Sequence, residues 1–139
     1  MKKFLLLAVM AITAYSLSAQ VVNPTKLNFD CTELTEPLIL ENTQLYGGSF
    51  LENEWKWTNP LSLTPGQVCG AVHIYYANIG YDYRVVVTYK YKGKQSMTSI
   101  TIPRKMVNGN WRQPWDANLE FRYSANGMQV TSSFTYLNY

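Results

Sequence analysis

The chain has 139 residues, of which 47% are hydrophobic and 14% aromatic, and its formal net charge is +3. That length suits one domain with a single buried core and leaves little room for a second. So slight a charge argues against a nucleic-acid or polyanion-surface binder working through bulk electrostatics.

Residues 1–19 read as an export signal. Lys2 and Lys3 form the positive end, Phe4 to Ala14 is apolar, and Ser16, Leu17, Ser18 and Ala19 place small residues before a cut after Ser18 or Ala19. The segment is shorter than the roughly 20 apolar residues that a spanning helix needs, and no later stretch reaches that length. The Lys-Lys start and the Ser-Ala-Gln end resemble bacterial export signals. The expected mature chain is residues 20–139, a single all-β domain acting in the periplasm or outside the cell, with no membrane span. Losing Lys2 and Lys3 leaves ten cations against nine anions, about +1. From Gln20 to Pro60 two cations meet six anions, and from Leu61 to Tyr139 eight cations meet three. Mixing of these charges on adjacent strands largely cancels them.

Cys31 and Cys69 are the only cysteines, and in an oxidising compartment two cysteines imply a disulfide. Closing the loop between positions 31 and 69 would stabilise the fold by roughly 4 kcal/mol on the chain-entropy account. Leu27, Phe29 and Cys31 alternate as a short strand, and Pro37 to Glu41 offers a second, closed by Asn42. After the loop signal Tyr46-Gly47-Gly48-Ser49, Glu52 to Thr58 alternates Glu54 and Lys56 with Trp55 and Trp57, and Asn59-Pro60 ends that strand. The two tryptophans are read as core packing, with a flat platform for sugar rings as the sharper alternative. Gln67 to Ala77 is apolar on both faces, which predicts a central or doubly covered strand. A turn follows over 78–82.

Tyr83 to Lys92 sends Tyr83, Val85, Val87, Tyr89 and Tyr91 inward. A two-residue loop near Gly93 then sets Ile100 and Ile102 on the same face as Val85 and Val87. Lys90, Lys92 and Lys94 beside tyrosines are read as a solvated, edge-guarding face in preference to a nucleic-acid surface. In the long connection after Ile102, Asn108-Gly109 predicts a miniature hairpin that pairs Met106 with Trp111 and Lys105 with Arg112. Last, Trp115 to Tyr123 and Met128 to Tyr136 alternate as one hairpin. If Asn126 and Gly127 form a type I′ turn, Tyr123 faces Val130 and Leu119 faces Phe134.

The expected fold is therefore an antiparallel β-sandwich or partly open β-barrel of about eight or nine strands with one disulfide. No chemistry-bearing constellation stands out. His73 is the lone histidine, no histidine pair has metal spacing, no serine sits in a nucleophile elbow, and the Gly47-Gly48 pair lacks a phosphate-loop lysine. Glu52 and Glu54 share a strand face as solvated charge. No cofactor, metal or catalytic residue is assigned, and no nucleic-acid partner. The candidate ligand site is Trp111, Arg112, Lys105 and Trp115: an indole beside a guanidinium suits stacking on a sugar and bonding to its acidic group, and an anion would relieve the repulsion between Lys105 and Arg112. The leading expectation is a non-catalytic binding module for a glycan or cell-surface ligand. A protein-interaction component, either an adhesin subunit or an inhibitor of a foreign enzyme, is second, and a small hydrolase third.

Overall fold

A computed structural model describes residues 24–76 and 82–137, without the side chains of Thr58 and Ala71. The export signal, and most of the turn expected over 78–82, lie outside the described residues. Ten strands are described: β1 (Thr25–Asp30), β2 (Leu38–Gly47), β3 (Phe50–Leu63), β4 (Val68–Ile74), β5 (Tyr83–Tyr91), β6 (Lys94–Ile102), β7 (Lys105–Val107), β8 (Asn110–Arg112), β9 (Asp116–Ser124) and β10 (Gly127–Thr135). They form a four-stranded sheet β10-β9-β1-β4, a second four-stranded sheet β3-β2-β5-β6, and a separate two-stranded ribbon β7-β8. The all-β expectation holds, but the sheets stay separate, so no barrel closes.

Both sheets contribute to one core, with Leu27, Phe29, Leu119 and Phe121 from the first and Leu40, Leu45, Val85 and Val87 from the second. Across the layers the Tyr89 ring meets Phe121 edge-on at 5.4 Å between centroids, the offset geometry that aromatic quadrupoles prefer. Trp55 and Trp57 are half-buried and pack against this core, in line with the core-packing reading.

The period-2 pattern is realised most fully in β5, whose Tyr83, Val85, Val87, Tyr89 and Tyr91 are all buried. Its turn to β6 has positive φ at both Lys92 (51°) and Gly93 (77°), and Val85 pairs with Ile100 as the spacing predicts.

The order of strands departs from a simple meander. β1 runs parallel to β9, with Leu27 opposite Ala117 and Phe29 opposite Leu119, and antiparallel to β4. The first sheet is therefore mixed, because β1 is inserted between strands far away in the chain. β4 is an edge strand and not the expected central one. A register shift opposite Leu27/Asn28 turns its inward face from Val72 and Ile74 to Cys69, which pairs beside Phe29. Apolar residues on both faces thus record a bulge, not double coverage. β2 and β3 are both longer than the sequence pattern shows, and β3 continues through Pro60. It is an edge strand, and residues 57–60 lie in an irregular stretch where Asn42 pairs with Lys56 but Leu40 with Leu61. Proline is tolerated there because no ladder hydrogen bond is lost.

The C-terminal hairpin keeps its predicted face and changes its register by two residues. Ser124 pairs with Gly127, Tyr123 with Met128, Phe121 with Val130 and Ala117 with Phe134. Asn126 has no positive φ, whereas Gly127 has φ 101°. The connection is Ala125-Asn126 followed by a glycine in left-handed conformation, so the type I′ turn expected at Asn126-Gly127 does not form. A shift of two preserves side-chain parity, which is why Ala117, Leu119 and Phe121 still reach the core.

The expected disulfide is also absent, since Cys31 and Cys69 are free thiols. The fold does bring them together at the end of the β1–β4 ladder, where the Cys31 amide donates to the Gln67 carbonyl at 3.0 Å. Burial, with Cys69 adding to it, pushes the Cys31 thiol up to about 12. Burial thus keeps the Cys31 thiol neutral, while the Cys69 thiol donates to the Thr64 carbonyl at 3.9 Å.

Candidate functional site

The segment from Pro103 to Trp115 crosses from the second sheet to the first, carrying the ribbon. Asn108 (φ 50°) and Gly109 (φ 80°) make its two-residue turn, and Met106 pairs with Trp111 and Lys105 with Arg112, as the spacing predicts. With Val107 opposite Asn110, strand alternation puts Met106 and Trp111 on one face and the Lys105–Arg112 pair on the other.

The ribbon is tied down at its base. The Arg104 amide donates to Asp82 Oδ1 at 3.0 Å, and the Arg104 guanidinium stands 3.7 Å from the same oxygen. From that anchor the guanidinium lies over the Trp111 ring, 4.1 Å from its centroid. Lys105 Nζ lies 5.4 Å from the centroid of Tyr136, whose hydroxyl donates to the Pro103 carbonyl. Burial, helped by the charge of Asp82, raises the Tyr136 phenol, so it remains a donor at neutral pH. The Thr25 hydroxyl bonds the Pro114 carbonyl, and the Trp115 amide and carbonyl are taken by Thr135 and Lys26.

Trp111 is 39% exposed and Trp115 41%. Of the four residues singled out from sequence, Lys105 and Arg112 are brought together across the ribbon and Trp111 stands on its opposite face. Trp115 is fixed by its backbone at the start of β9, apart from the ribbon pairing. The guanidinium beside Trp111 belongs to Arg104 and not to Arg112. Adjacent residues of a strand point to opposite faces, a rule that already separates Trp111 from Arg112 but cannot supply Arg104, whose position depends on Asp82.

No grouping of three or more His, Cys, Asp or Glu able to hold a metal occurs among the described residues. His73 is exposed. Glu52 and Glu54 do not share a face as expected: the register shift at Leu45/Tyr46 separates them. Glu54 Oε2 accepts from Asn42 at 3.1 Å and Gln44 at 2.7 Å, while the Glu52 carboxyl turns toward Gly47. Those donors hold Glu54 below the usual carboxylate range, the wrong direction for a general acid. No helix long and apolar enough to cross a membrane occurs among the described residues. No protein family, no curated protein and no solved structure matches the chain.

Proposed function

We propose that this chain is an exported, non-catalytic binding module whose ribbon takes an acidic glycan of a cell surface or matrix. The observation that carries the reading is the half-exposed Trp111 indole held under the Arg104 guanidinium at 4.1 Å. A guanidinium stacked on one ring face leaves the rest of the indole for the apolar face of a sugar and directs N–H donors along its rim. Arg104 and Lys105 bring two positive charges to the base of the ribbon, where Asp82 is the carboxylate that Arg104 engages. An anionic group is the complement of that balance. Because the hairpin is tethered through Arg104 and Tyr136, little ordering entropy opposes binding.

The test is a glycan array probed with mature protein and with Trp111→Ala. Acidic glycans should be retained by the first and lost by the second, and binding should weaken with added salt. Equal retention by Trp111→Ala would refute the ribbon as the site.

One observation favours a second reading, an interaction component acting through a strand edge. β10 is an edge strand, and Gly127 to Thr135 contains neither a charged residue nor a proline. Such an edge lacks the features that ordinarily block pairing with another chain.

A further inference from the structure

We propose a second binding site, on the outer face of the β3-β2-β5-β6 sheet, for a small ligand that carries a carboxylate on an apolar body about one ring in size. Three strands build it. Gln44 of β2 and Ser99 of β6 stand opposite Val86 of β5 on its two sides, and Tyr46 of β2 stands opposite Arg84 in the next outward row. With Met97 as a further wall they enclose a groove of about 330 Å³, at the small end of the range for ligand sites.

The floor is apolar. Val86 points away from the core yet is only 8% exposed, because the groove walls cover it, and Met97 at the rim is 68% exposed. An unbranched thioether in that position adapts to the shape of an apolar guest.

Arg84 supplies the charge. Its guanidinium lies over the Tyr46 ring, 4.7 Å from the centroid, and it has no carboxylate partner among the described residues. Asp82, two positions away, is committed to Arg104. The Tyr46 ring is itself set in place by a chain of hydrogen bonds. Gln44 Nε2 donates to Glu54 at 2.7 Å, which leaves Gln44 Oε1 to accept the Tyr46 hydroxyl at 3.2 Å. A guanidinium stacked on a fixed ring has lost most of its rotamer freedom and offers its in-plane N–H fork to a planar, two-oxygen anion. Carboxylate matches that fork, and Val86 and Met97 take the apolar remainder. Neither Trp111 nor the ribbon takes part, so this site stands or falls apart from the glycan reading.

Phenylacetate and its neutral isostere 2-phenylacetamide are the probes, titrated into ¹⁵N-labelled full mature protein. Phenylacetate should shift the amides of Arg84, Val86, Met97 and Ser99 saturably, and the neutral probe should bind about tenfold more weakly or worse. Arg84→Gln should erase the preference, Arg84→Lys should keep part of it, and Trp111→Ala should leave it intact. Amide dispersion in each variant reports the fold directly. Equal binding of the two probes, shifts elsewhere on the molecule, no shift at millimolar phenylacetate, or an unchanged preference in Arg84→Gln would each overturn the proposal.

Discussion

The turn between β9 and β10 gives a test of register that needs no knowledge of ligand. Gly127 has φ 101°, and a Cβ built on it meets nothing within 4 Å. Any loss in Gly127→Ala is therefore backbone strain with no steric clash mixed in, and Gly127→Val adds the stiffness of a β-branched side chain to it. Holding a non-glycine residue at that φ costs on the order of 1–3 kcal/mol, the β-branched valine standing at the upper end. For a domain of this size that corresponds to roughly 3–10 °C in Tm. A companion substitution separates the two possible turns. With Ala125 and Asn126 at the centre and Ser124 paired with Gly127, position 125 is the first central residue of the turn, a place that favours proline, so Ala125→Pro should be neutral or stabilising by up to about 1 kcal/mol. Were Asn126-Gly127 a type I′ turn, position 125 would be a paired strand residue and the proline would cost a ladder hydrogen bond. Thermal melts of the variants decide the matter. A harmless Gly127→Val, or an Ala125→Pro that melts early, would refute the register described here.

Free cysteines have a pH signature. Since the folded Cys31 thiol is raised to about 12 and an unfolded thiol titrates near 8.5–9, its contribution is fully present below pH 8.5 and is lost as pH climbs toward 12, at up to about 1.4 kcal/mol per pH unit. Denaturant melts across that window should show a steeper decline in the native chain than in Cys31→Ala, and thiol labelling of native protein should modify Cys69 before Cys31; an unlabelled unfolded chain would mean that the thiols are joined. Phe121→Ala should cost about 3–5 kcal/mol, because the ring is fully buried between Phe29 at 6.3 Å and Tyr89 at 5.4 Å, and chemical denaturation will show whether it does. Mass spectrometry of exported material should find a chain that begins near Gln20, and an intact Met1 there would remove the export reading.

Local chemistry was legible in the sequence wherever it acts over two to ten residues. The Lys92-Gly93 and Asn108-Gly109 turns, the inward face of β5 and the pairing of Met106 with Trp111 all follow from φ preferences and a period of two. What alternation cannot report is which strand lies next to which. Leu27 and Phe29 announce a buried face, but nothing local says that they sit parallel to Ala117 and Leu119, some ninety positions on, because a ladder is made of backbone groups common to every residue. Bulges fail for a related reason. Each shifts parity by one, so the apolar pattern of β4 reads as two faces when it is one face interrupted.

The candidate sites divide along the same line. Trp111, Lys105 and Arg112 belong to one short hairpin, so their pairing is local and readable, while Arg104 reaches Trp111 only because Asp82 fixes it from before β5. The outer groove has no sequence signal at all. Tyr46 and Arg84 are partners across a ladder of two strands separated by β3 and β4, and Asp82, two positions before Arg84, is engaged by Arg104 of the ribbon. One carboxylate thus bears on both sites. In Asp82→Asn the Arg104 anchor loses its ion pair while the amide hydrogen bond can persist, so the ribbon should loosen by no more than about 1 kcal/mol, as expected of an exposed pair. The two sites should respond differently: glycan binding through Trp111 should fall with the lost positioning of Arg104, whereas phenylacetate binding at Arg84 should hold or strengthen as a nearby negative charge disappears. Array retention and the ¹⁵N titration on that single variant read both arms, and a parallel fall in the two would show that Asp82 supports the fold as a whole and not the ribbon alone.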